Sequence, residues 1–128
     1  MSLKKIIEQA NKDHLERALL TQIRMYGLPE GQAQFRAVPG RKWAWDRAWP
    51  ELRLLVEVQG GIMSSKVKGA DGLVRVMGHN SISGILRDHE KHNAATLEGW
   101  YVLYANTKTI NDASFVQTLA RYITKRQV

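Results

Sequence analysis

The sequence predicts a mixed α/β fold with helices flanking a sheet, and three observations carry the prediction. Helix-like segments stand at the start, past the middle and at the end of the chain, and three strand-like segments follow one another between the first two. A short, nearly continuous apolar strand, "WYVLYA", comes directly after the second helix, so it can join the sheet through a parallel crossover. The order read from the chain is α-β-β-β-α-β-α.

From Ser2 to Tyr26, Leu15, Leu19, Gln22/Ile23 and Tyr26 recur at helical spacing, with Ile6, Ala10 and Ala18 continuing the stripe. "YGLPEG" stops this helix through Gly27 and Pro29. Gln32 to Ala37 and Arg41 to Arg47 suit strands separated by the turn "VPGR", and Leu52 to Gln59 is a third. Residues 62–79 have little periodicity and carry three glycines, two lysines and an arginine, so an irregular stretch is expected there. A helix follows from about Ser81 to Glu98, with Gly99 as its stop. The strand at 100–105 comes next, and Asp112 to Lys125 closes the chain as a helix built on Phe115, Val116, Leu119 and Ile123.

The 128 residues suit a single domain with one real core, and 44% apolar with 24% charged residues is the globular range. There is no cysteine, which excludes disulfides and thiolate metal sites. With no signal-peptide pattern and apolar runs too short for a bilayer, a cytoplasmic protein is expected, with no membrane partner. The net charge of +7, spread along the chain, is the footprint of a protein that meets a polyanion, although simple solubility accounts for it as well.

The stretch "WAWDRAWPELRLLVEVQGG" sets Asp46 and Glu57 among apolar and aromatic residues, where a carboxylate is costly unless paired. Alternation places Leu54, Val56 and Val58 on one face and Leu55, Glu57 and Gln59 on the other, with Trp43 and Trp45 opposite Lys42, Ala44 and Asp46. If the two strands pair as a meander, Asp46 and Glu57 become cross-strand or diagonal neighbours. A hard divalent cation between them would relieve their repulsion. The competing reading makes them ordinary ion pairs, Asp46 with Arg47 or Arg41 and Glu57 with Arg53. His89 and His92 lie three apart with no evident third zinc ligand, so both read as structural or surface residues. The four tryptophans read as core.

The runs "RKWAWDRAWPELRLLVEVQGG" and "GHNSISGILRDHEKHNAATLEGWYVL" resemble the small phage and prophage endonucleases of the PD-(D/E)xK superfamily, relatives of the very-short-patch repair and Holliday-junction nucleases. The likeness reaches from about Glu16 to Tyr104. In that family a strand aspartate is followed by E-x-K or E-x-Q on the next strand, a histidine near the start of a helix bearing D-x-x-K-x-N, and then GW-x-V-L.

The resemblance implies a restriction-endonuclease-like α-β-β-β-α-β core with a C-terminal helix, and a Mg²⁺-dependent endodeoxyribonuclease in which Mn²⁺ can substitute. It makes Asp46 and Glu57 metal ligands, with the carbonyl of Val58 a further one, and Glu16 the helix glutamate that completes the site. Gln59 stands where most of the superfamily has lysine, and Lys91 on the following helix is the candidate to supply that charge; its plainer role is a solvated partner of Asp88. Glu16 has the plainer role of a surface residue beside Arg17. His79 falls where a general acid or phosphate contact would serve.

Lys66, Lys68, Arg75, Arg41, Lys42 and Arg87 are the candidates to hold flanking phosphates of DNA, without base readout. Paired incisions would call for a homodimer, and the likeness places the chain in a bacterial host cell. A catalytically inactive DNA-binding protein on the same fold is the alternative suggested by Gln59, and a subunit of a larger phage assembly is another.

Overall fold

The computed structural model describes residues 2–60, 66–68, 74–76 and 82–127, the two three-residue segments by their backbone alone. Helix α1 (Leu3–Met25) opens under a Ser2 cap, whose hydroxyl accepts from the Lys5 N–H. It ends in a Schellman motif. Gly27, at φ +67°, donates to the Arg24 carbonyl, and the Leu28 N–H reaches back to that of Ile23. The stop read from "YGLPEG" is therefore built as expected.

Strands β1 (Gln32–Phe35), β2 (Trp45–Trp49) and β3 (Leu54–Gln59) form an antiparallel meander. Helix α2 (Ile82–Leu97) carries the chain across to β6 (Tyr101–Asn106), which pairs parallel with β3 to give a four-stranded mixed sheet in the order β1-β2-β3-β6. Gly99, at φ +85°, closes α2 with a second Schellman motif: its own N–H bonds the Thr96 carbonyl and the Trp100 N–H that of Ala95. That sharp stop turns the chain straight into β6.

Several strand boundaries depart from the sequence reading: β1 ends at Phe35 instead of Ala37, and β2 runs on to Trp49 instead of stopping at Arg47. β2 starts at Trp45 instead of Arg41, because its ladder with β1 ends at the Phe35–Trp45 pair. β3 starts at Leu54 because Pro50–Leu52 winds into a 3-10 turn and Arg53 follows with left-handed backbone, φ +53°. The closing helix, α4 (Ser114–Arg126), stands where it was expected, and a short helix absent from the sequence reading, α3 (Thr107–Asn111), precedes it, opened by a capping box in which Asn106 and Thr109 exchange side-chain to backbone bonds. Another difference lies within 62–79, where Lys66–Lys68 and Val74–Val76 pair as antiparallel strands β4 and β5. Both alternate polar and apolar residues, but three residues are too few for the period to stand out.

Two apolar layers sandwich the sheet. On one face Leu15, Leu19 and Ile23 of α1 pack with Trp49, Leu54, Val56, Val58 and the buried side of α3 and α4. On the other, Trp45, Ala48, Leu55 and Trp100 pack beneath Ala95 of α2. Trp45, Trp49 and Trp100 are buried as expected, while Trp43 is half-buried under the Arg41 guanidinium, 3.6 Å above its ring. The ends of the α1 stripe stay exposed, Ile6 and Ala10 at one end and Tyr26 at the other. A helix of 23 residues is about 34 Å long, whereas the six residues of β3 span about 20 Å. The helix outruns the sheet, and its middle, at Lys12 to Leu19, lies over the end of β3. Among the described residues no helix is long and apolar enough to cross a membrane.

Candidate active site where the sheet opens

The β2–β3 ladder runs from Trp49–Leu54 to Arg47–Val56 and then gives way to side chains. The Val58 N–H donates to Asp46 Oδ2 at 2.7 Å, and the Asp46 N–H donates to Glu57 Oε1 at 3.2 Å. Each carboxylate thus occupies a backbone donor of the facing strand, where buried N–H groups would otherwise be unpaired. Asp46 and Arg47, although consecutive, both line one cavity of about 260 Å³ with Glu16, Asp13, Gln34 and Val58, so strict alternation fails at this point. The carboxylates are neighbours across the strands, as alternation suggested. They reach the gap from different faces, Asp46 toward α1 and Glu57 toward α2.

One lysine from each face meets them. Lys12 on α1 lies 3.0 Å from Asp46 Oδ1, and Lys91 on α2 lies 3.1 Å from Glu57 Oε2. Lys91 also donates to the Ala44 carbonyl at 3.2 Å and stands 4.6 Å from the centre of the Trp45 ring. Asp46 is only 5% exposed, so its charge is desolvated as well as paired.

The alternative ion pairs do not form here. Arg41 bonds Glu90 at 2.8 Å, Arg47 donates to the Glu30 carbonyl, and Arg53 turns to the Glu98 carbonyl and the Trp100 ring. Lys91 faces Glu57 instead of Asp88. Glu16, half-buried, faces the cavity beside Asp46 and accepts from Gln34 Nε2 at 3.4 Å. Gln59 is half-buried at the end of β3, opposite Asn106 of β6. His92 Nδ1 pairs with the Tyr104 hydroxyl at 3.1 Å, and His89 is exposed.

Of the phosphate-binding candidates, Lys42 and Arg87 are exposed and Arg41 is engaged by Glu90 and Trp43. Lys66, Lys68 and Arg75 lie on β4 and β5, and His79 lies outside the described residues. Lys12 is the residue that the sequence reading missed. The available signal was its position four before Glu16 on the face that also carries Leu15 and Leu19.

Negative charge in the gap is not fully balanced. Burial, then the Asp46 charge, push the Glu57 carboxyl above its ordinary value even though Lys91 and Lys12 pull it down. Burial and Asp46 raise Glu16 from 4.5 to about 7. Burial and the Glu57 charge likewise raise the Tyr104 phenol, which pairs with Glu57 in register.

Among the described residues no group of three or more His, Cys, Asp or Glu side chains is arranged to hold a metal ion. The donors that are present still suit a hard divalent cation: Asp46 and Glu57 offer carboxylate oxygens in a place with surplus negative charge, beside a third carboxylate on Glu16. A cation at Asp46 Oδ1 would have to take the position Lys12 holds.

The Glu16 shift predicts a pH dependence. A carboxyl whose pKa is raised on folding binds more protons in the folded state between 4.5 and about 7, so its contribution to stability is greatest below 4.5 and falls as pH rises through that window. Denaturation midpoints across pH 4 to 8 should therefore fall more steeply for the wild type than for Glu16→Gln, and parallel curves would show that Glu16 is ordinary.

No family model matches the chain, and neither the curated proteins nor the solved structures contain a match.

Proposed function

We propose that the protein is a metal-dependent DNA endonuclease of the PD-(D/E)xK kind, with the restriction-endonuclease-like arrangement of that superfamily. The observation that carries the reading is the Asp46–Glu57 pair at the opening of the ladder, with Lys91 on Glu57. Two desolvated carboxylates side by side are costly, and their order along the chain is the order the sequence motif requires. Asp46, Glu57 and the Val58 carbonyl would hold Mg²⁺ or Mn²⁺, and Glu16 would complete the site. When bound, the cation supplies an acidic water and a positive charge for the phosphodiester oxygens.

This chain's own residues do the rest. Lys91, fixed on Glu57 from α2, would supply the charge that Gln59, at the motif-lysine position of β3, does not offer. Glu16, lining the cavity beside Asp46, would bring a third carboxylate to the site. The exposed Lys42 and Arg87, with Arg17 and Arg47 at the cavity, would hold phosphates, and contacts of that kind confer no sequence preference. The substrate class is DNA distinguished by shape, such as a branch, flap or nick. Two cuts in a duplex would need a second copy of the chain.

The test is cleavage of supercoiled plasmid and of a labelled four-way junction with Mg²⁺, with Mn²⁺ and with chelator, comparing wild type with Glu57→Ala. Metal-dependent cutting that falls by at least about a thousandfold in the variant is the expected result. A second reading, a DNA-binding protein on a spent nuclease fold, has in its favour that Lys12 and Lys91 already neutralise the pair. It predicts that both proteins shift DNA in metal-free buffer and neither cuts.

A further inference from the structure

The two lysines of the site are not equivalent. Lys91 is 17% exposed and held three ways, by Glu57, by the Ala44 carbonyl and over the Trp45 ring. Lys12 is 34% exposed and makes one ion pair, with Asp46. Its helix is pinned beside it by Leu15 and Leu19 in the core, so α1 does not have to move for the ammonium to leave. A partly exposed lysine on a flexible four-carbon stem can swing into water at small cost.

We propose that Lys12 is a displaceable counter-ion, which occupies the cation position at Asp46 in the empty protein and is expelled when a divalent cation binds. The inference rests on the metal-binding reading above and says which group the cation must compete with. Asp46 explains why such a group is needed: a carboxylate this deeply buried, next to Glu57 and Glu16, would be left without a positive partner whenever no metal is bound. Lys12 supplies one from solvent and keeps the gap from collapsing or taking up protons. The direction of its own shift agrees, since the charges of Asp46, Glu57 and Glu16 all hold the ammonium in its charged form against the opposing effect of burial. Lys91 cannot play this part, because moving it would break two hydrogen bonds and uncover the Trp45 ring.

The test is calorimetric titration with Ca²⁺, a hard cation that reports binding without turnover. Lys12→Met should bind Ca²⁺ at least about fivefold tighter than wild type, the competition expected of one partly exposed ammonium. Lys5→Met, which removes a charge on the same helix away from the site, should leave the affinity unchanged, and this separates contact from general charge. If Lys12→Met is too unstable to titrate, Lys12→Gln keeps a neutral donor for Asp46 and should bind tighter in the same way. Thermal melts add a second readout: saturating Ca²⁺ should raise the midpoint of the Lys12 variants more than that of wild type.

Equal or weaker binding by the Lys12 variants, with wild type binding Ca²⁺, overturns the proposal and leaves the nuclease reading standing. An equal gain in Lys5→Met overturns it too. Absence of Ca²⁺ binding in every protein overturns both the proposal and the metal site on which it rests.

Discussion

Asp46→Ala is expected to lower folding stability by about 2–3 kcal/mol and to abolish metal-dependent cleavage. The larger part comes from the Val58 N–H, which donates to Asp46 Oδ2 at 2.7 Å on a buried stretch of β3 and has no facing ladder partner once Asp46 is gone. An orphaned buried donor costs about 1–3 kcal/mol. Lys12 contributes little to the loss because it is partly exposed and can be solvated.

An opposing effect has to be weighed. Asp46 repels Glu57 and Glu16, so deleting it relieves both, yet in each case burial is the larger cause of the raised pKa and remains in the variant. The sign is therefore destabilising. Asp46→Asn separates the two roles: its amide oxygen can still accept from Val58, so its stability loss should stay under about 1 kcal/mol, while cleavage is lost as completely as in the alanine variant. Urea denaturation and plasmid cleavage measure the pair. An alanine variant as stable as wild type would mean that carboxylate repulsion offsets the hydrogen bond altogether.

The parts of this fold that sequence reveals are those decided locally. Leu15, Leu19 and Ile23 share a helix face, Leu54, Val56 and Val58 share a strand face, and Gly27 and Gly99 allow the left-handed turns that end their helices. The mixed sheet with flanking helices follows from these.

The site is different, because its decisive feature is a failure of local regularity. Alternation gives the faces of Asp46 and Glu57 one strand at a time, but nothing in either strand says that the ladder between them opens after Arg47–Val56. That depends on Glu57 accepting from the Asp46 N–H and Asp46 from the Val58 N–H, eleven and twelve residues apart in sequence. Lys12 was hidden for a related reason: a lysine four residues before a glutamate is commonplace on an exposed helix, and only the packing of α1 over the end of β3 turns it inward. The short strands β4 and β5 escaped because three-residue runs show no period, whereas α3 was signalled by the Asn-x-x-Thr cap at its start and could have been noticed.

Lys91→Ala is the second large effect, with a loss of at least about a hundredfold in cleavage at neutral pH, the order of magnitude for removing one preorganised charge from an active site. The variant also distinguishes how Lys91 acts. Its charge and hydrogen bond lower the Glu57 pKa against burial and Asp46, so without it the Glu57 carboxyl moves further up and holds its proton to higher pH. If Lys91 serves chiefly to keep Glu57 ionised for the cation, activity of Lys91→Ala should recover as pH rises, and Lys91→Arg should keep much of the wild-type rate. If it serves chiefly to steady charge on the phosphate, the loss should be the same at every pH and Lys91→Arg should recover little, because a guanidinium spreads its charge over a plane where a compact ammonium concentrates it. The anchoring of Lys91 over the Trp45 ring favours the first outcome, since an ammonium held by two protein oxygens has little freedom to follow a substrate. A Lys91→Ala protein that cleaves at the wild-type rate from pH 6 to 9 would leave the lysine with a structural role alone.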